Sequence, residues 1–213
     1  VEAIYAVTNT KPNSNTKNGY IEYYFTGLGT PIETNATNVA VTVDDREVPF
    51  EISPISGSRD GRFSAIDVDY GRRLRYQRTF TIRLTYELPG EPPRSEDPAR
   101  VNPAYAAFFA YGFADPGLAA IRIEVPTGWT TEYVGDELAV MPGAGIDIYT
   151  ADAIENSGEF TVLFTARNDA GLAVSNLVTP AGHRFEIRSW PGDEEWKEFV
   201  TSKVRDGLPA LET

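Results

Sequence analysis

Turnover chemistry needs groups that donate, accept or coordinate. This chain of 213 residues offers one histidine, His183, and no cysteine. His183 could serve as a metal ligand or general base. It stands alone, however, in Pro180-Ala181-Gly182-His183, a turn entering a strand, with no second histidine for a zinc site and no His-Glu-x-x-His pattern. It reads as a polar loop residue. Carboxylates are more plentiful, in the pairs Asp44 and Asp45, Asp67 and Asp69, and Asp147 and Asp152. Asp67 and Asp69 sit two apart in a strand and therefore share a face, as general acid–base work or calcium binding would require. The pattern Ile66-Asp67-Val68-Asp69 also describes a solvated strand face, and that reading is preferred. Gly27-Leu28-Gly29 and Gly143-Ala144-Gly145 lack the following helix and lysine of a phosphate cradle and read as turns. No Gly-x-Ser-x-Gly elbow occurs.

Two further groups could recognise rather than react. Arg72-Arg73-Leu74-Arg75-Tyr76-Gln77-Arg78 is a basic cluster beside Tyr70, read as lying between two strands. It could bind an acidic partner segment or balance the chain's own carboxylates, and the second reading is favoured. The aromatics Tyr20, Tyr23, Tyr24 and Phe25, and Phe108, Phe109, Tyr111 and Phe113, read as core at strand spacing. Exposed, they would stack on sugar rings or mark a docking surface.

The elements that must carry these groups announce themselves by a period of two. In Phe80-Thr81-Ile82-Arg83-Leu84-Thr85-Tyr86-Glu87-Leu88 every even-numbered residue is apolar, which predicts an antiparallel strand with one buried face. Further strands are predicted at Ala3 to Thr8, Tyr20 to Thr26, Val39 to Val43, Glu47 to Ile52 after an Asp44-Asp45 turn, and from Phe63 onward. The polar stretch Asn9 to Gly19 reads as a turn segment, and Pro89 to Pro98, with four prolines, as a linker. The same grammar then resumes: Ala104 to Phe113, Ile121 to Val125, Trp129 to Val134, Ile146 to Tyr149, Gly158 to Phe164 and Arg184 to Arg188. Only the end changes period. Asp193 is a candidate N-cap, Trp196, Phe199, Val200 and Val204 fall at helical spacing, Gly207 is a candidate C-cap, and Leu208 to Glu212 could open another helix.

These signals predict an all-β chain: antiparallel β-sandwiches, two in succession and immunoglobulin-like, with a short C-terminal helix. The expected divisions are 1–90, 100–190 and a helical lead-in over 191–213 to a further domain. Net charge is −12, from 31 acidic and 19 basic residues, which disfavours nucleic acid and anionic lipid as partners. The longest mostly apolar stretch, Ala104 to Ala110, is far short of the roughly 20 residues a bilayer requires, so no direct membrane insertion is expected. No catalytic or metal-binding residue is assigned and no cofactor is expected.

Thr85-Tyr86-Glu87-Leu88-Pro89-Gly90, Asn102 to Ala110, and Ile121 to Trp129 resemble the non-catalytic β region that precedes the catalytic domain in gluzincin metallopeptidases related to aminopeptidase N. Trp190 to Trp196 and Gly207 to Leu211 resemble the helical lead-in to such a domain in exported actinobacterial proteins. The resemblance implies a non-enzymatic accessory region of a larger exported or cell-surface bacterial protein, with the zinc motif downstream and no matching positions here. Its partners would be the downstream domain of the same polypeptide, or a polypeptide or carbohydrate ligand; a carbohydrate-binding β-sandwich module is the alternative.

Overall fold

Alternation does what it predicts. Phe80, Ile82, Leu84 and Tyr86 are buried, while Thr79, Thr81, Arg83 and Glu87 face out. A computed structural model describes residues 1–55, 61–91, 94–96, 99–112, 114–179 and 182–207. They form two compact units, Val1–Pro89 and Gly90–Thr213.

The first unit comprises β1 (Glu2–Thr8), β2 (Ser14–Thr16), β3 (Gly19–Ile21), β4 (Tyr24–Glu33), β5 (Thr37–Val43), β6 (Arg46–Glu47), β7 (Phe50–Pro54), β8 (Phe63–Arg75) and β9 (Thr79–Glu87). One sheet runs β1-β9-β5-β6 and the other β4-β8-β7, all antiparallel, with β2 and β3 as a separate hairpin. Ile32, Ile66, Val68 and Tyr70 of the second sheet share one core with Val41, Val43 and the inward face of β9. Burial raises the Tyr70 hydroxyl's pKa above its ordinary value, and its ring meets Phe80 edge-on at 5.5 Å.

The second unit comprises β10 (Arg100–Asn102), β11 (Tyr105–Ala110), β12 (Ala119–Pro126), β13 (Thr130–Gly135), β14 (Ala139–Pro142), β15 (Ile146–Ile154), β16 (Val162–Arg167), β17 (Ala173–Val178), β18 (Arg184–Ser189) and α1 (Glu194–Gly207). Its sheets run β10-β11-β16-β13 and β12-β15-β14, with β17 and β18 as a hairpin on which α1 packs. The order β11-β16-β13 over β12-β15-β14 repeats β1-β9-β5 over β4-β8-β7 strand for strand. In each unit the chain crosses repeatedly between the two sheets, with β1 and β11 beside the central strands β9 and β16.

The repeat extends to single residues. Asp44, just after β5, donates its N–H to the Thr81 carbonyl at 2.8 Å and accepts the Thr81 N–H on Oδ1 at 2.9 Å. Asp136, just after β13, makes the same pair with Thr161, at 3.4 and 3.0 Å. Both clasps continue the antiparallel register one step past the ladder. The second requires Gly135: its φ is +124°, and a Cβ there would lie 2.2 Å from the Thr161 carbonyl oxygen.

Several boundaries differ from those the sequence predicts. Residues 14–16, inside the predicted turn segment, form β2, and the strand expected from Tyr20 to Thr26 is split between β3 and β4. The strand expected from Glu47 to Ile52 breaks at Pro49, which has no N–H to give a ladder, and the chain changes sheets there. The basic cluster lies only partly between strands: Arg72 to Arg75 complete β8, and Tyr76 to Arg78 connect it to β9. Phe160 precedes β16 rather than joining it. Asp44 and Asp45, at φ of 46° and 63°, form the expected two-residue hairpin turn, both left-handed as a type I′ turn demands. Leu208 to Glu212, Phe113 and parts of the proline-rich stretch lie outside the described residues.

Phe164 is fully buried and stacks on Phe108 and Tyr133 while meeting Tyr149 edge-on. Phe164→Ala should destabilise the second unit by about 3–5 kcal/mol, read from urea unfolding followed by tyrosine and tryptophan fluorescence.

Candidate functional site

The groups that could do chemistry are dispersed. His183 is exposed at the β17–β18 turn, its backbone bonded to Thr179 at 2.9 and 3.2 Å. Asp67 and Asp69 share the outer face of β8 and are exposed; Asp69 Oδ1 accepts the Gly71 N–H at 2.9 Å, which shapes a bulge. Asp147 and Asp152 lie at opposite ends of β15. Asp152 joins Asp136, Glu137, Glu155 and Glu159 around an open acidic cleft, where Asp136 already serves the clasp and Glu159 accepts from Asn156 at 2.6 Å. Among the described residues no group of three or more His, Cys, Asp or Glu has the geometry to hold a metal ion.

What the fold does bring together are the two recognition motifs. Tyr24 pairs with Arg75 across the β4–β8 ladder, and the Arg73 guanidinium lies 4.3 Å from the centre of the Tyr24 ring. Arg75 also pairs with Glu22 at 3.3 Å, and Lys11 Nζ sits 4.0 Å over Tyr23. Tyr20, Tyr24 and Phe25 are 65%, 40% and 46% exposed. This first aromatic group is therefore a surface, not core. In the second group Phe108 stacks on buried Phe164 and does belong to a core.

One residue that sequence reasoning passed over holds the patch. Asn9 is fully buried, and its Nδ2 donates to the carbonyls of Tyr23 at 3.1 Å and Leu74 at 3.0 Å. Its Oδ1 accepts the Lys11 N–H at 3.0 Å, and its backbone N–H and C=O bond the Arg78 carbonyl and the Gln77 N–H at 3.1 and 2.8 Å. One side chain thus fixes the end of β1, the entry to β4 and the end of β8. Asn13 extends the frame, accepting the Tyr23 N–H at 2.9 Å and donating to the Tyr20 hydroxyl at 2.7 Å. At Gly27, past the bulge, strands β4 and β8 approach so closely that a Cβ would lie 2.4 Å from the Val68 carbonyl oxygen.

A second cluster was equally hidden. Arg94, from the stretch read as linker, donates from Nε and Nη2 to Asp193 Oδ2 at 3.0 and 2.9 Å. Its guanidinium lies between Trp190 and Trp196, 5.4 and 5.0 Å from their rings, and Tyr105 stacks on Trp190 at 4.9 Å. Asp193 precedes α1 as expected, but its carboxylate binds Arg94. The only available signal was a lone arginine among prolines and an aspartate between two tryptophans.

Asn9→Ala should remove three side-chain bonds in a site without water access and cost about 2–4 kcal/mol in urea unfolding. Asn9→Asp should be at least as damaging at neutral pH, because a carboxylate cannot donate to the Tyr23 and Leu74 carbonyls. No protein-family model, no curated protein and no solved structure matches the chain.

Proposed function

We propose that the chain is a non-catalytic accessory β-sandwich region of a larger exported or cell-surface bacterial protein. Its first unit docks an acidic polypeptide segment on the Arg73–Tyr24–Arg75 face. A metallopeptidase parent, as the resemblance to aminopeptidase N-like proteins implies, belongs to the same proposal. The observation that carries it is the convergence of cations on exposed rings. Arg73 over Tyr24, Arg75 beside it and Lys11 over Tyr23 give a partner both apolar area and charge-assisted donors.

Charge distribution supports the choice of occupant. The first unit carries 10 basic and 11 acidic residues and the second 9 and 20, so nearly all of the net −12 belongs to the second. Of the first unit's ten cations, Lys11, Lys17, Arg72, Arg73, Arg75 and Arg78 belong to the segments around β2, β3 and the end of β8. An acidic segment meets its complement there and is repelled elsewhere. Carbohydrate is the second reading, favoured by Tyr20, whose exposed ring is held in place through its hydroxyl by Asn13.

A fluorescein-labelled Glu-rich peptide should bind the full chain in an anisotropy titration, more weakly as salt rises. Arg73→Gln with Arg75→Gln should weaken it by about tenfold or more while leaving the thermal midpoint within a few degrees. Equal binding of a Lys-rich peptide, or no effect of the double substitution, would overturn the reading. Glycan-array signal abolished by Tyr20→Ala and kept by the arginine variant would establish the carbohydrate reading in its place.

A further inference from the structure

Because the two units repeat strand for strand, β13 of the second is the counterpart of β5 in the first. The outer edge of β5 is filled: β6 pairs with it, and the Val48 N–H reaches the Val41 carbonyl at 3.2 Å. The outer edge of β13 carries no strand among the described residues.

The clasp shows which groups lie on that edge. Asp136 bonds Thr161 across the β13–β16 ladder, and an antiparallel ladder alternates from there. The backbones of Val134, Glu132 and Thr130 therefore face β16, and those of Thr131 and Tyr133 face away. Among the described residues no hydrogen bond reaches these outward N–H and C=O groups. Tyr133 stands three residues before its clasp aspartate, the place that Val41 holds in the first unit.

Nor is this edge blunted. β14 has four residues and ends in Pro142, and β7 follows Pro49 and ends in Pro54. β13 has six residues without proline or lysine, and Val134 is 75% exposed. Such an edge is a template for an added strand.

Charge and apolar surface choose the occupant. β13 ends at the acidic cleft, whose wall includes Asp136, Glu137, Asp152, Glu155 and Glu159, and its own charged residue is Glu132. Tyr133 packs on the second core, so the inward side chains of an added strand extend that core as Val48 does the first. A second copy pairing through β13 brings another Glu132 and no cation.

We propose that β13 takes up an extended polypeptide segment as an added strand, alternately apolar and with a cation at its N-terminal end. Antiparallel addition, as β16 makes on the other side, sets that end against the cleft. Main-chain bonds to Thr131 and Tyr133 supply affinity, and the cation selects the segment. The inference concerns the second unit and is independent of any partner of the first.

A short labelled peptide of alternating valine and threonine, begun by one lysine, should bind the full chain saturably below about 1 mM in anisotropy. Glutamate in place of that lysine should weaken binding about tenfold or more. Oligolysine, with no apolar side to bury, should also bind about tenfold more weakly. The peptide should slow hydrogen exchange of the Thr131 and Tyr133 amides about tenfold or more. Thr131→Pro removes an outward N–H, leaves the β16 ladder whole, and should weaken binding about tenfold or more. Thr131→Val loses the same hydroxyl contact with Tyr149 but keeps the N–H, and should bind within about twofold of the unaltered chain. Arg73→Gln with Arg75→Gln should leave this affinity unchanged, which separates the two surfaces. No saturable binding, unslowed amides, equal affinity for oligolysine, or full affinity in Thr131→Pro would each overturn the proposal. A peptide-free dimer that Thr131→Pro dissolves would overturn it in favour of a second copy.

Discussion

The structure depends on one strand in each unit that is bonded along both edges and buried on one face. β9 lies between β1 and β5, and β16 between β11 and β13. Their inward side chains, Phe80 to Tyr86 and Val162 to Ala166, reach the facing sheet. A strand in that position cannot slip by one residue without turning its whole apolar set into water. The register is therefore fixed, and the clasps of Asp44 on Thr81 and Asp136 on Thr161 set its end in each unit. Everything attached to these frames inherits their rigidity, which is the condition for a surface to recognise anything.

The two frames carry different attachments. The first adds the β2–β3 hairpin and a long β8 that continues, past a bulge, beyond its pairing with β7, with Asn9 bonded to the Tyr23 and Leu74 carbonyls near its end. The second adds the β17–β18 hairpin and α1, joined to the incoming chain by Arg94. Asn9 and Asp193 do comparable work: each is a buried polar side chain whose bonds hold together segments distant in sequence. Such groups are worth having inside only when their partners are supplied, and here they are.

Much of the frame was legible because a period of two survives averaging over neighbours. Phe80 to Glu87, Ile121 to Val125 and Arg184 to Arg188 could be placed from pattern alone, as could the Asp44-Asp45 turn and α1. The recognition surfaces were not. Tyr24 and Phe108 occupy similar aromatic runs, yet one ring lies under Arg73 at the surface and the other against Phe164 in a core. The difference is which sheet covers each strand, a nonlocal matter. Arg94 carried no signal because its partners, Trp190, Asp193 and Trp196, lie about a hundred residues away, beyond the reach of any local pattern.

The sequence by itself determined the strand faces, the turns with left-handed residues and the acid-rich composition, because each follows from the local stereochemistry and solvation of a few adjacent residues. Tertiary structure alone decided which aromatics stay wet, that Arg73 of β8 lies over Tyr24 of β4, and that Ser189 is buried without a hydrogen-bond partner. Those outcomes depend on loop closure and on which sheet lies over which. Such pairings are favourable only once the whole sandwich has formed, and no short stretch of chain encodes them.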